Sequence, residues 1–159
     1  MISPEVFRRS PFFTPVDEEQ LTRLAMISEE EVYQAGETIF KEGEPAEKLY
    51  LILNGAIELW MRVDILGRSI PVEILGPGEV VGWSTLVSPY RYTASGEARV
   101  LTQVVAIDSM SLRQLAEEDH VLGYHLYRQV AGVIAQRLHD TRLRLASLLP
   151  APVEPSVDT

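Results

Sequence analysis

Glycine-centred breaks cut residues 31–108 into short apolar runs, and this constrains the fold more than any other feature. Gly36, Gly43-Glu44-Pro45, Asn54-Gly55, Gly67 and Gly76-Pro77-Gly78 are the breaks. Turn signals at such spacing predict short strands in a small barrel or sandwich. Asn54-Gly55 predicts a hairpin, because a type I′ turn needs positive φ at both central residues. Beyond it Ile57, Leu59, Met61 and Val63 alternate with Glu58, Trp60 and Arg62, which predicts one buried face and one solvated face.

Helical signals flank this region. Thr14-Pro15-Val16-Asp17 predicts a helix start: an N-cap, a proline in the first turn and an acid near the positive end of the dipole. Leu21, Leu24, Ala25 and Ile27 supply its apolar stripe, and the helix is expected to stop near Ser28. After Asp108 the period becomes helical again, with Ser111-Leu-Arg-Gln114 as a capping box. A long helix is predicted over residues 120–149. Its residues Tyr127, Ala131, Ile134, Leu138, Thr141, Leu145 and Leu148 form a heptad seam, which predicts a parallel homodimer. Pro150 ends the helix, and residues 150–159 are expected to be a disordered tail. Residues 1–149 then form one domain.

Charge narrows the function. The 159 residues carry 14 Lys+Arg against 23 Asp+Glu, a net charge of −9 and a pI of about 4.8. Gripping nucleic acid through phosphates needs a basic face, so no nucleic-acid binding is expected. With no cysteine, disulfides, thiolate catalysis and cysteine zinc sites are excluded. The first residues lack the layout of a secretory signal and no apolar run has membrane-spanning length, so a soluble cytoplasmic protein without membrane contact is expected. His120, His125 and His139 make no metal pattern, and no catalytic triad or paired-carboxylate motif is visible. Glu29-Glu30-Glu31 and Glu117-Glu118-Asp119 read as solvated turns or helix ends. The expectation is a protein without catalytic activity, metal or resident cofactor.

Residues 76–98 carry the chemistry. A Gly-Pro-Gly turn leads into a short apolar strand, then Gly82, a helix of one to two turns, a Pro-containing loop and a new extended segment. A glycine before a helix start lets backbone approach a ligand, and the free N–H groups there attract anions. The layout resembles the cyclic-nucleotide-binding domain family. The resemblance rests on residues 35–46 (AGETIFKEGEPA), 49–55 (LYLILNG) and 75–82 (LGPGEVVG), and on Ala135-Gln136-Arg137-Leu138 in the long helix. It implies a mainly β protein with flanking helices: a jelly-roll-like β-roll, a phosphate-binding cassette between two strands, and a long C-terminal helix covering the pocket.

In nucleotide-binding members of that family a glutamate follows the cassette glycine and accepts from the ribose hydroxyl, and an arginine pairs with the cyclic phosphate. Here Gly82 matches the glycine, Trp83 stands at the glutamate position, and Tyr92, just before Thr93-Ala94-Ser95, stands at the arginine position. Arg91 lies one residue earlier, and in an extended segment a one-residue slip points a side chain to the opposite face. Losing two charge-assisted bonds costs about three orders of magnitude in affinity. Ser84 and Thr85 retain backbone donors at the helix start. Trp83 and Tyr92 are expected to plug the pocket. Arg137 lies near where family members meet the base, and its plainer reading is an exposed helix flank.

Two functional readings follow. In the first the chain is a regulatory or interaction module with a degenerate cassette, acting through dimerisation or a protein effector. In the second it is a sensor that still binds a cyclic nucleotide or another anion through Gly82, Ser84, Thr85 and Arg91. Bacterial transcription factors of the family continue into a helix-turn-helix domain after the long helix, whereas this chain ends in a Pro-containing tail. The expectation is therefore a sensor-type module without its own output domain.

Overall fold

A computed structural model describes residues 2–150, so the expected tail beyond Pro150 lies outside the described residues. The jelly-roll-like expectation is borne out. Among the described residues eight strands form two four-stranded antiparallel sheets: β1 (Ser28–Tyr33), β2 (Thr38–Phe40), β3 (Lys48–Asn54), β4 (Ile57–Arg62), β5 (Ser69–Leu75), β6 (Val80–Val81), β7 (Ser95–Ala98) and β8 (Thr102–Asp108). One sheet has the order β1-β8-β3-β6 and the other β2-β7-β4-β5. Among the described residues three α-helices flank them: α1 (Glu18–Met26), α2 (Ser109–Glu118) and α3 (His120–Leu148).

The continuous apolar run of β3 has a simple cause. Tyr50 and Ile52 point into the roll with Phe40, Ile57, Leu59 and Val104. Leu49, Leu51 and Leu53 point the other way, into a second core with Phe7, Phe13, Leu24, Leu112 and Leu126. Alternate residues of a strand face opposite sides, so a strand between two cores must be apolar throughout.

Asn54-Gly55 is not a hairpin. β3 pairs with β6 and β8, and β4 pairs with β5 and β7, so this turn carries the chain from one sheet to the other. Gly55 has φ of 92°, whereas Asn54 is not in the left-handed region. A Cβ on Gly55 would lie 2.5 Å from the Leu101 carbonyl, so close backbone packing as well as turn geometry requires the glycine. The alternation of β4 also stops early. Ile57 and Leu59 are buried, but Met61 and Val63 are exposed. The pairing with β7 ends at Trp60–Ser95, and beyond it β4 runs against β5 alone.

Helix boundaries shift by a few residues. Asp17, not Thr14, caps α1: its carboxylate accepts from the Gln20 amide at 2.8 Å, and Gln20 Oε1 accepts from the Asp17 amide at 3.0 Å. Likewise Asp108 caps α2 by accepting from Ser111 N at 2.9 Å, which places Ser111 inside the helix. In both cases an aspartate with a free amide three residues on is a strong cap. The Glu29–Glu31 run lies in β1 rather than a turn. Glu31 is partly buried and accepts from Tyr33 Oη at 2.6 Å and Lys48 Nζ at 2.5 Å. Burial opposes its ionisation, but the Lys48 and Tyr33 hydrogen bonds outweigh that and hold its carboxyl below the usual range.

Candidate functional site

The cassette segment starts at β6. Gly82 follows with φ of 97°, a left-handed conformation, and a Cβ there would meet the Lys48 carbonyl at 3.1 Å. The expected helix is a single 3-10 turn, Trp83–Thr85. The Thr85 amide already donates to the Gly82 carbonyl at 3.0 Å and the Leu86 amide to the Trp83 carbonyl at 3.1 Å. The cradle therefore offers fewer free donors than a longer helix start, and three residues sum to only a small dipole.

The return segment decides what fills the roll. It runs beside residues 43–46: Gly43 N donates to Tyr92 O at 2.8 Å, Tyr92 N to Glu44 O at 3.0 Å, and Ala46 N to Tyr90 O at 2.8 Å. Neighbouring residues of such a ladder face opposite sides. Tyr92 points inward and is 6% exposed. Its ring stacks on Phe40, with centroids 4.4 Å apart. Its hydroxyl donates to the Lys48 carbonyl at 2.7 Å and accepts from the Lys48 amide at 3.1 Å. Burial raises its pKa, so the phenol stays neutral. Arg91 points outward, and its Nη1 donates to the Gly43 carbonyl at 2.8 Å.

A cavity of about 20 Å³ remains in the cassette, lined by Gly82, Trp83, Ser84, Tyr92, Thr93 and Arg137 among others. That is room for about one water molecule. Six of the eight expected site residues thus converge on one place. Thr85 is fully buried, its hydroxyl turned to the Gly82 carbonyl at 2.8 Å, and Arg91 leaves the roll. Of the two residues expected to fill the pocket, Tyr92 is the one buried in the roll. Trp83 is half-buried and also packs against the helical core.

Arg137 is not an exposed flank. It donates from Nη2 to the Val80 carbonyl at 2.9 Å and lies 3.7 Å from the Glu73 carboxylate, with its side chain 18% exposed. Burial lowers its pKa, against the charges of Glu73 and Glu79. It fastens α3 across the cassette mouth, a job for which a planar, persistently charged fork suits. Sequence reasoning missed Arg113, which donates from Nη1 to the Thr85 carbonyl at 2.7 Å and stands 4.2 Å above the Tyr90 ring. Nothing in the local pattern of α2 marks it, because Thr85 and Tyr90 lie more than twenty residues away in the chain and only Ser109 Oγ, at 3.3 Å, is a local partner.

Among the described residues no helix is long and apolar enough to cross a membrane, and no group of three or more His, Asp or Glu is arranged to hold a metal ion.

Known proteins resemble this chain over most of its length. A solved structure from Geobacter metallireducens, assigned to the cyclic nucleotide-binding proteins, is 39% identical. It covers 87% of this chain and all of its own, with a TM-score of 0.79. The N-terminal domain of a transcriptional regulator from Streptomyces coelicolor is 29% identical over 94% of this chain and 99% of its own, with a TM-score of 0.65. The CRP-like cAMP-activated global transcriptional regulator of Mycobacterium tuberculosis is 28% identical over 91% of this chain, which spans 62% of that regulator's length. Residues 30–119 match the cyclic nucleotide-binding domain, and with a β-roll, a cassette glycine and a covering helix in place, the chain belongs to that family.

Proposed function

We propose that this chain is a non-catalytic regulatory module whose cassette does not take cyclic AMP or cyclic GMP in the family's usual way, and which works through dimerisation and a protein partner. The observation that carries this reading is Tyr92. It occupies the inward position where the resemblance puts the phosphate-binding arginine, it is fastened to both polar groups of the Lys48 backbone, and it leaves a cavity of only about 20 Å³. A cyclic nucleotide would have to displace the ring and would then find neither charged anchor.

The long helix supports the second half. Leu122, Leu126 and Val130 bury one stripe of α3 against the helical core. The seam positions Tyr127, Leu138, Leu145 and Leu148 stand on another stripe and are exposed. A second copy presenting the same stripe covers both seams. Net charge −9 argues for a protein partner over nucleic acid, and a cytoplasmic setting fits a chain without cysteine.

Calorimetry on the purified chain tests the cassette reading. Neither nucleotide is expected to bind more tightly than about 100 µM. A micromolar dissociation constant for either one would refute the reading. Trp83→Glu with Tyr92→Arg restores both anchors and is expected to raise the affinity wherever the double variant remains folded.

A further inference from the structure

A second cavity, of about 490 Å³, opens outside the roll where the 89–91 segment, the 45–48 loop and the start of α2 meet. Arg91 and Arg113 both line it. Arg91 spends Nη1 on the Gly43 carbonyl, and Arg113 spends Nη1 on the Thr85 carbonyl and, at 3.3 Å, on Ser109 Oγ. Their Nε and Nη2 groups have no hydrogen-bond partner among the described residues, and neither guanidinium forms an ion pair there. The ion pairs take up Arg23, Lys48, Arg68, Arg99 and Arg137 instead. Arg91 and Arg113 are two of the nine basic residues with no ion pair among the described residues, and they share this cavity.

The acids lining the cavity do not neutralise them. Asp108 is committed to capping α2 through the Ser111 amide and hydroxyl, at 2.9 and 2.7 Å. Glu47 lines the cavity but pairs with neither arginine. Lys48 also lines it, with its ammonium drawn away to Glu29 and Glu31. Between the arginines lies Tyr90, held at φ of 60°. A bulky residue in the left-handed region is strained, and such strain gathers at binding sites. Its ring packs beneath the Arg113 guanidinium and walls the cavity.

We propose that this outer cavity binds a small molecule through a phosphate or carboxylate group, held between the free edges of Arg91 and Arg113 with Tyr90 as the apolar wall. Its size suits a small organic anion better than a bare ion. The fork geometry of arginine matches either oxyanion. The site is separate from the cassette: the one-residue alternation that turns Tyr92 into the roll turns Arg91 out to this cavity.

Pyrophosphate, which offers charge without other recognition, is the probe. The full chain is titrated and followed by amide chemical shifts. Saturable shifts centred on Tyr90, Arg91, Ser109 and Met110 are expected. Arg91→Gln, at an exposed position, is expected to weaken binding about tenfold, the loss of one charge-assisted contact. Glu47→Gln removes the opposing charge and is expected to strengthen it about twofold. Non-saturating shifts, or one affinity shared by the parent and both variants, would overturn the proposal. Shifts centred on Gly82 and Ser84 would also overturn it and place the anion in the cassette.

Discussion

Replacing Tyr92 measures how much of the roll's interior depends on one ring. Tyr92→Ala removes a side chain that is 6% exposed, stacked 4.4 Å from Phe40 and joined to Lys48 by two hydrogen bonds. The deleted volume is about 100 Å³, and at about 24 cal/mol per Å³ of unrelaxed cavity the void alone costs about 2 kcal/mol. With the lost transfer energy the total reaches about 3–5 kcal/mol, the usual cost of deleting a buried aromatic ring. Tyr92→Phe keeps the stack but strips the Lys48 amide and carbonyl of their partner, for about 1–3 kcal/mol. Urea unfolding at one fixed protein concentration, followed by circular dichroism and by the fluorescence of Trp60 and Trp83, gives both values. A Tyr92→Ala loss below about 1 kcal/mol would refute the idea that this ring fills the pocket, because a buried aromatic cannot be removed so cheaply unless it was already free to leave. Tyr92→Phe costing as much as Tyr92→Ala would locate the stabilisation in the hydroxyl rather than the ring.

Sedimentation at micromolar concentration is expected to show a dimer that Leu138→Asp with Leu145→Asp dissociates while the roll stays folded, and a monomeric parent would end the dimer proposal. A gel shift with mixed-sequence duplex DNA is expected to show no binding at physiological salt, and salt-sensitive micromolar binding would contradict the charge argument. Asp119 caps α3 by accepting from Leu122 N at 3.0 Å and also accepts from Gln20 and Arg23, each at 3.1 Å. The Leu122 bond, then Gln20 and Arg23, hold its carboxyl below its ordinary value of 3.8. Its contribution is therefore full above that value and is lost as pH falls through the lower folded-state value. Asp119→Ala is expected to cost about 1–2 kcal/mol at neutral pH and to reduce the loss of stability under acid, and an unchanged acid limb in urea unfolding would refute the assignment.

Local periodicity and local chemistry carried most of the elements. Glycine-bounded runs set the strands between residues 38 and 108, while the acidic β1 was not legible; the return to helical period set α2 and α3, and Pro150 set the end of the long helix. The expectation that Trp83 and Tyr92 depart from the family's pattern came from the same source, because a motif is a matter of spacing along the chain. Tertiary structure decided which strands pair and which way each side chain turns. Asn54-Gly55 has the composition of a hairpin, yet it joins two sheets, because the apolar residues of β3 are needed by two cores at once. Tyr92 faces Lys48 across 44 residues, Arg137 faces Val80 across 57 and Arg113 faces Thr85 across 28. Contacts at such separations are set by the packing of whole sheets and helices, which no pattern a few residues wide encodes. So the sequence set the expectation that Trp83 and Tyr92 stand where the family's charged anchors would be, and only the folded chain determined that Tyr92 packs inside the roll, that Arg91 and Arg113 line one cavity outside it, and that Arg137 is a fastening rather than a surface charge.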